Sequence, residues 1–66
     1  MKILLNGEPH DLAQARDIAA LVAELALPAP ALLVEHNGLA IRRDEWPQRP
    51  LADGDRVEIV RIVAGG

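Results

Sequence analysis

A chain of 66 residues is enough for one domain and too short for two. It has no cysteine, which removes disulfides, thiolate metal sites and cysteine nucleophiles. Half the residues are apolar, which argues against disorder; a net charge of -3, no lysine cluster and a single aromatic residue, Trp46, argue against nucleic acid as a partner.

Residues 2–6, KILLN, read as a strand. Asn6-Gly7 is a favoured hairpin pair because both residues tolerate positive φ. EPHDL then returns as a short second strand, with Pro9 confined to a strand start or an unpaired edge because it has no amide hydrogen. No stretch approaches the roughly 18 apolar residues of a membrane span, and the N-terminus lacks the pattern of a secretory signal. A cytoplasmic location with no membrane partner is the expectation.

Residues 18–27 carry helical periodicity, with Ile18, Leu21, Val22 and Leu25 forming one apolar stripe. Asp17 is placed to cap the first free amides, and Pro28 to stop the helix. Residues 31–36, ALLVEH, read as a strand, Asn37-Gly38 as a second hairpin turn and residues 39–41, LAI, as a short partner strand. Residues 42–50, with two prolines, read as a loop with a helical turn before Pro47. Asp53-Gly54-Asp55 is a third turn, and RVEIVRIV at 56–63 is a β-branched strand.

One short helix and four or five strands must share a core. The pattern therefore predicts an α+β domain with the helix stripe packed on one face of a mixed sheet and the other face left to water. Alternation puts Ile3, Leu5, Val57 and Ile59 under the helix. It leaves Leu4, Val60 and Ile62 on the open face.

The sequence then closes on Ala64-Gly65-Gly66. Glycine has no Cβ, so such an end passes through channels too narrow for other residues, and three extended residues reach roughly 10 Å. A terminal carboxylate is a poor acyl donor until it gains a leaving group. ATP-dependent adenylation on another enzyme supplies one, and sulfur delivered to the activated carbonyl gives a tethered thiocarboxylate. No glycine-rich phosphate loop is present, so ATP belongs to the partner.

Asn6-Gly7-Glu8, DIAALV at 17–22, VEHNGLAIRRDEW at 34–46 and LADGDRVEIVRIVAGG at 51–66 together resemble the ThiS family, sulfur carriers of thiazole formation in thiamin biosynthesis. The resemblance implies a ubiquitin-like β-grasp, with a mixed four- to five-stranded sheet packed on one main helix. It implies a domain over residues 1–63 and a flexible tail over 64–66. Gly66 would be adenylated by a ThiF-like enzyme, receive sulfur by a cysteine desulfurase route and donate it to a ThiG-like thiazole synthase. The chain would be a cosubstrate rather than an enzyme, with Val60, Arg61, Ile62, Ala64 and Gly65 meeting partners. Asp17 stands where the family often has Thr, Ala15 where a turn Gly is common, and Ala64 where a third Gly is frequent.

Trp46 reads first as a cover for one end of an aliphatic core and second as a docking anchor. Arg43 reads as a loop-fixing residue, through carbonyls or Asp44. His10 and His36 lie in separate strands, and Asp53 and Asp55 lack the spacing of a calcium loop, so no metal is expected. Two other functions fit the pattern: a small subunit like that of molybdopterin synthase, and a β-grasp binding module with no covalent step.

Overall fold

A computed structural model describes residues 1–62. Its strands are β1 (Lys2–Leu5), β2 (Glu8–Asp11), β3 (Leu32–His36), β4 (Leu39–Ile41) and β5 (Arg56–Arg61), with one α-helix, α1 (Ile18–Glu24). The sheet order is β2-β1-β5-β3-β4. β1 and β5 run parallel, and every other neighbouring pair is antiparallel. This is the β-grasp arrangement expected from the resemblance. The expected tail, Ala64, Gly65 and Gly66, lies outside the described residues, as does Val63.

Both Asn-Gly pairs make the predicted turns. Asn6 and Gly7 have φ of 51° and 83°, and Asn37 and Gly38 have 52° and 85°, the double positive φ of a type I′ hairpin. Pro9 sits in β2, at the sheet edge.

The helix is shorter than its periodicity implies. Asp17 caps it as expected, its Oδ1 accepting from the Ala20 amide at 2.8 Å. It ends at Glu24, however, before Pro28 can act. Ala26 takes a φ of 56°. Its amide donates to the Ala23 carbonyl at 3.0 Å, and the Leu27 amide donates to the Val22 carbonyl at 3.4 Å. That pair of bonds is a Schellman motif, which normally places glycine where Ala26 stands. The β3 strand likewise begins at Leu32, because residues 29–31 form a 3₁₀ turn. The loop at 42–50 holds a 3₁₀ helix, Arg43–Gln48, that runs through Pro47.

The core follows the predicted parity. Ile3, Ile18, Leu21 and Val57 are at most 1% exposed, and Val22, Val34 and Ile59 are buried with them. Leu25 keeps the inward face but is only half-buried. Trp46 is buried against this cluster at 4% exposure, which is the covering role expected of it; its indole Nε1 finds no hydrogen-bond partner among the described residues. A domain of this size has a total stability of about 3–10 kcal/mol. Truncating Leu21 to alanine would remove about 2–5 kcal/mol, much of that total.

Candidate functional site

The last described strand lies in the middle of the sheet. β5 pairs with β1 on one side and β3 on the other, so the chain leaves for residues 63–66 from a central position. The Leu4 and Asn6 amides each donate at 2.9 Å to the carbonyls of Asp55 and Val57. On the other side the Asn37 amide donates to the Arg56 carbonyl at 2.7 Å, and the Ile62 amide to the Ala31 carbonyl at 2.6 Å.

Two turn asparagines extend these ladders with their side chains. Asn6 Oδ1 accepts from the Ile59 amide at 2.8 Å, and Asn6 Nδ2 donates to the Ile59 carbonyl at 3.3 Å. Asn37 Oδ1 accepts from the Arg56 amide at 2.8 Å, and its Nδ2 donates to Asp55 Oδ1 at 3.1 Å. The sequence shows each residue as a turn former only. Nothing local in it reveals contacts that cross 53 or 19 positions.

The root of β5 is held by a part-buried polar cluster, centred on the buried His36, that the sequence reading divided into a strand histidine and a turn aspartate. His36 Nε2 lies 2.7 Å from Asp55 Oδ2, and the Arg49 guanidinium lies 3.2 Å from His36 Nδ1. Arginine can only donate. Nδ1 is therefore the acceptor, and Nε2 carries the hydrogen given to Asp55. Burial pushes the Asp55 carboxyl upward, but hydrogen bonds from His36, the Ala52 amide and Asn37 more than reverse that and hold it below the ordinary value. Asp53, the other turn aspartate, accepts from the Lys2 amide at 2.8 Å.

Elsewhere, Glu24 collects the amides of Ala13, Gln14 and Ala15 at 3.0–3.2 Å. Those bonds, from Gln14 foremost, lower its carboxyl pKa. They also order the loop at Ala15 without the glycine common there. The loop contact expected of Arg43 falls to its neighbour. Arg42 Nε lies 3.3 Å from Asp44 Oδ1, which raises the Arg42 pKa.

Val60 and Ile62 sit on the open face, 55% and 47% exposed. Beside them is Leu33, 58% exposed and opposite Val60 in register; the sequence reading did not single it out. One step along, Glu35 faces Glu58, and with Gly38 and Arg56 they line a shallow depression of about 70 Å³. Arg61 belongs to the opposite face. It lines a groove of about 260 Å³ together with Leu5, Leu25, Leu27, Leu32 and Ile59. Ala64, Gly65 and Gly66 are outside the described residues.

Among the described residues no three His, Asp or Glu side chains converge in a way that could hold a metal ion. Within the same residues, no helix is long and apolar enough to cross a membrane.

The model of the ThiS family matches residues 3–66. The sulfur carrier protein ThiS of Thermus thermophilus is 36% identical over 64 residues, 97% of this chain and 98% of that protein. A thiazole synthase of Paramagnetospirillum magneticum is 32% identical over all 66 residues, but the chain spans only 20% of that protein's length. The crystal structure of the thiamine biosynthesis protein (ThiS) from Geobacter metallireducens superposes with a TM-score of 0.85 at 29% identity, covering 100% of both chains.

Proposed function

The chain belongs to the ThiS family, and from that premise we propose that it is a sulfur carrier in thiamin biosynthesis, a protein cosubstrate rather than a catalyst. Residues 1–63 serve as the β-grasp handle and residues 64–66 as the working tail. The observation that carries this reading is the extent of the family match, which runs through residue 66 and so takes in both closing glycines.

The Gly66 carboxylate attacks the α-phosphorus of ATP on a ThiF-like enzyme, and pyrophosphate leaves. A persulfide supplied by a cysteine desulfurase route then attacks the carbonyl carbon through its outer sulfur, and AMP leaves. A second thiol cleaves the resulting acyl disulfide, forming a disulfide with the persulfide's cysteine and leaving the thiocarboxylate. A ThiG-like thiazole synthase takes the sulfur. That partner is supported by the thiazole synthase relative, which carries a segment similar to this whole chain within its own polypeptide. Gly65 keeps the tail narrow for both enzymes, and Val60, Ile62 and Ala64 meet their surfaces. Arg61 adds charge beside the tail. A cytoplasmic location belongs to the same proposal, and the need for ATP supports it.

Intact mass spectrometry after incubation with ATP, a ThiF-like enzyme and a sulfur source tests the proposal. The expected product is heavier by the exchange of one oxygen for one sulfur at Gly66. Unchanged mass with a cognate activating enzyme that consumes ATP would overturn it.

A further inference from the structure

β5 outruns its neighbour. β1 ends at Leu5, and the Asn6 side chain supplies one more rung by pairing with Ile59. Backbone groups along a strand alternate in direction with a period of two residues. Val57 and Ile59 bond toward β1, whereas Arg56 and Ile62 bond toward β3 and the segment before it. By that alternation the amide and carbonyl of Arg61 face the β1 side, past the point where β1 has turned away. Among the described residues a short strand edge is thus left open in the interior of the sheet order, next to the end of β5.

Directly beneath that edge is the groove of about 260 Å³ with aliphatic walls from Leu5, Leu25, Leu27, Leu32 and Ile59. The one charged residue lining it is Arg61, which makes no ion pair among the described residues. Its volume falls below the roughly 300–1,000 Å³ of small-molecule pockets, and it opens to solvent, so it is a socket for a side chain rather than a cavity for a free ligand.

We propose that this notch takes an extended segment of a partner protein: its backbone pairs with Arg61 where β1 stops, an aliphatic side chain fills the groove, and a neighbouring carboxylate meets the Arg61 guanidinium. Strand addition supplies affinity through main-chain bonds and selectivity through alternate side-chain pockets. The choice of a peptide over a lipid rests on the open edge, which an acyl chain cannot use. An acidic segment fits because, among the described residues, the only charge lining the groove is positive. The proposal deepens the carrier reading by naming how an enzyme grips the domain beside its tail. The site is built from residues that do not depend on sulfur chemistry.

The test is an amide chemical-shift titration of the full-length protein with the capped peptide acetyl-Val-Leu-Val-Asp-amide. Saturable shifts at Leu5, Leu27, Ile59 and Arg61 are expected. A peptide N-methylated at the leucine nitrogen should not bind, and Arg61→Glu should weaken binding about fivefold or more. Shifts confined to Leu33 and Glu35, equal binding by the N-methylated peptide, or shifts produced by octanoate but not by the peptide would each overturn the proposal. Absence of any saturable shift would do so as well. Failure to form the thiocarboxylate in the mass assay would sink the carrier reading and leave this titration unaffected.

Discussion

Asn6 stands in for a missing residue of β1: its side-chain carbonyl accepts from the Ile59 amide at 2.8 Å and its side-chain amide returns a bond to the Ile59 carbonyl at 3.3 Å. The same residue supplies the positive φ of the first hairpin turn. One side chain therefore closes a turn and secures the strand that leads to the tail.

Replacing Asn6 with glycine separates the two roles, because glycine keeps the turn conformation and loses both bonds to Ile59. Asn6→Gly should lower stability by about 1–2 kcal/mol, the worth of two hydrogen bonds, read from the urea midpoint. Hydrogen exchange should accelerate most at the Ile59 amide. Unchanged exchange there would show that the side-chain bonds contribute nothing to holding β5.

Ala26 offers the opposite case. It occupies the left-handed position of a Schellman motif, with a φ of 56°. A non-glycine residue there costs about 1–2 kcal/mol, partly offset in glycine by its greater chain entropy. Ala26→Gly should therefore stabilise the fold by up to about 1 kcal/mol, seen as a higher urea midpoint with an unchanged slope.

The helix end also shows where sequence reasoning ran out. The apolar stripe from Ile18 to Leu25 was legible because helical periodicity is local, and so were both Asn-Gly turns and the inward parity of Val57 and Ile59. The end at Glu24 was not, because alanine gives no sign that it will adopt a left-handed conformation. Strand order was legible only through the family resemblance, since spacing does not state which strands meet. Leu33 as the companion of Val60, and the Arg49–His36–Asp55 cluster, needed the β3–β5 register and the fold of the 42–50 loop. Of the candidate site, the open-face positions Val60 and Ile62 could be read from alternation. The groove beside Arg61 could not, because it exists only where β1 ends and β5 continues.

Acid should loosen the root of β5. The Asp55 carboxyl is held below its ordinary value, with burial opposing and hydrogen bonds from His36, Ala52 and Asn37 prevailing. A depressed carboxylate contributes stability that is complete above its unfolded-state pKa and is lost as pH falls through the folded-state pKa. Glu24 acts in the same direction through the amides of Gln14, Ala13 and Ala15. Asp55→Asn should reduce stability near neutrality by on the order of 2 kcal/mol and flatten the acid limb of a stability-against-pH curve. A limb of unchanged slope would assign the acid sensitivity to other carboxylates.

The open face supplies the last prediction. Leu33 and Val60 are opposed in register and more than half exposed, and Glu35 and Glu58 face each other beside them. An apolar pair next to two like charges gains little for the isolated fold, since the pair stays wet and directly opposed like charges repel. The same arrangement suits a partner that covers the leucine and valine and brings a basic group to the glutamates. Val60→Asp should leave stability within about 1 kcal/mol of the parent, because an exposed side chain leaves no cavity. It should slow thiocarboxylate formation with the activating enzyme about tenfold or more, the effect of losing a central apolar contact at an interface. Glu58→Lys should instead reduce the association rate, and raising the salt concentration should narrow its difference from the parent, because screening weakens long-range attraction between the charged surfaces. If both variants were loaded at the parent rate, the enzyme would have to grip the domain elsewhere, and the groove on the Arg61 side of β5 would be the surface to test next.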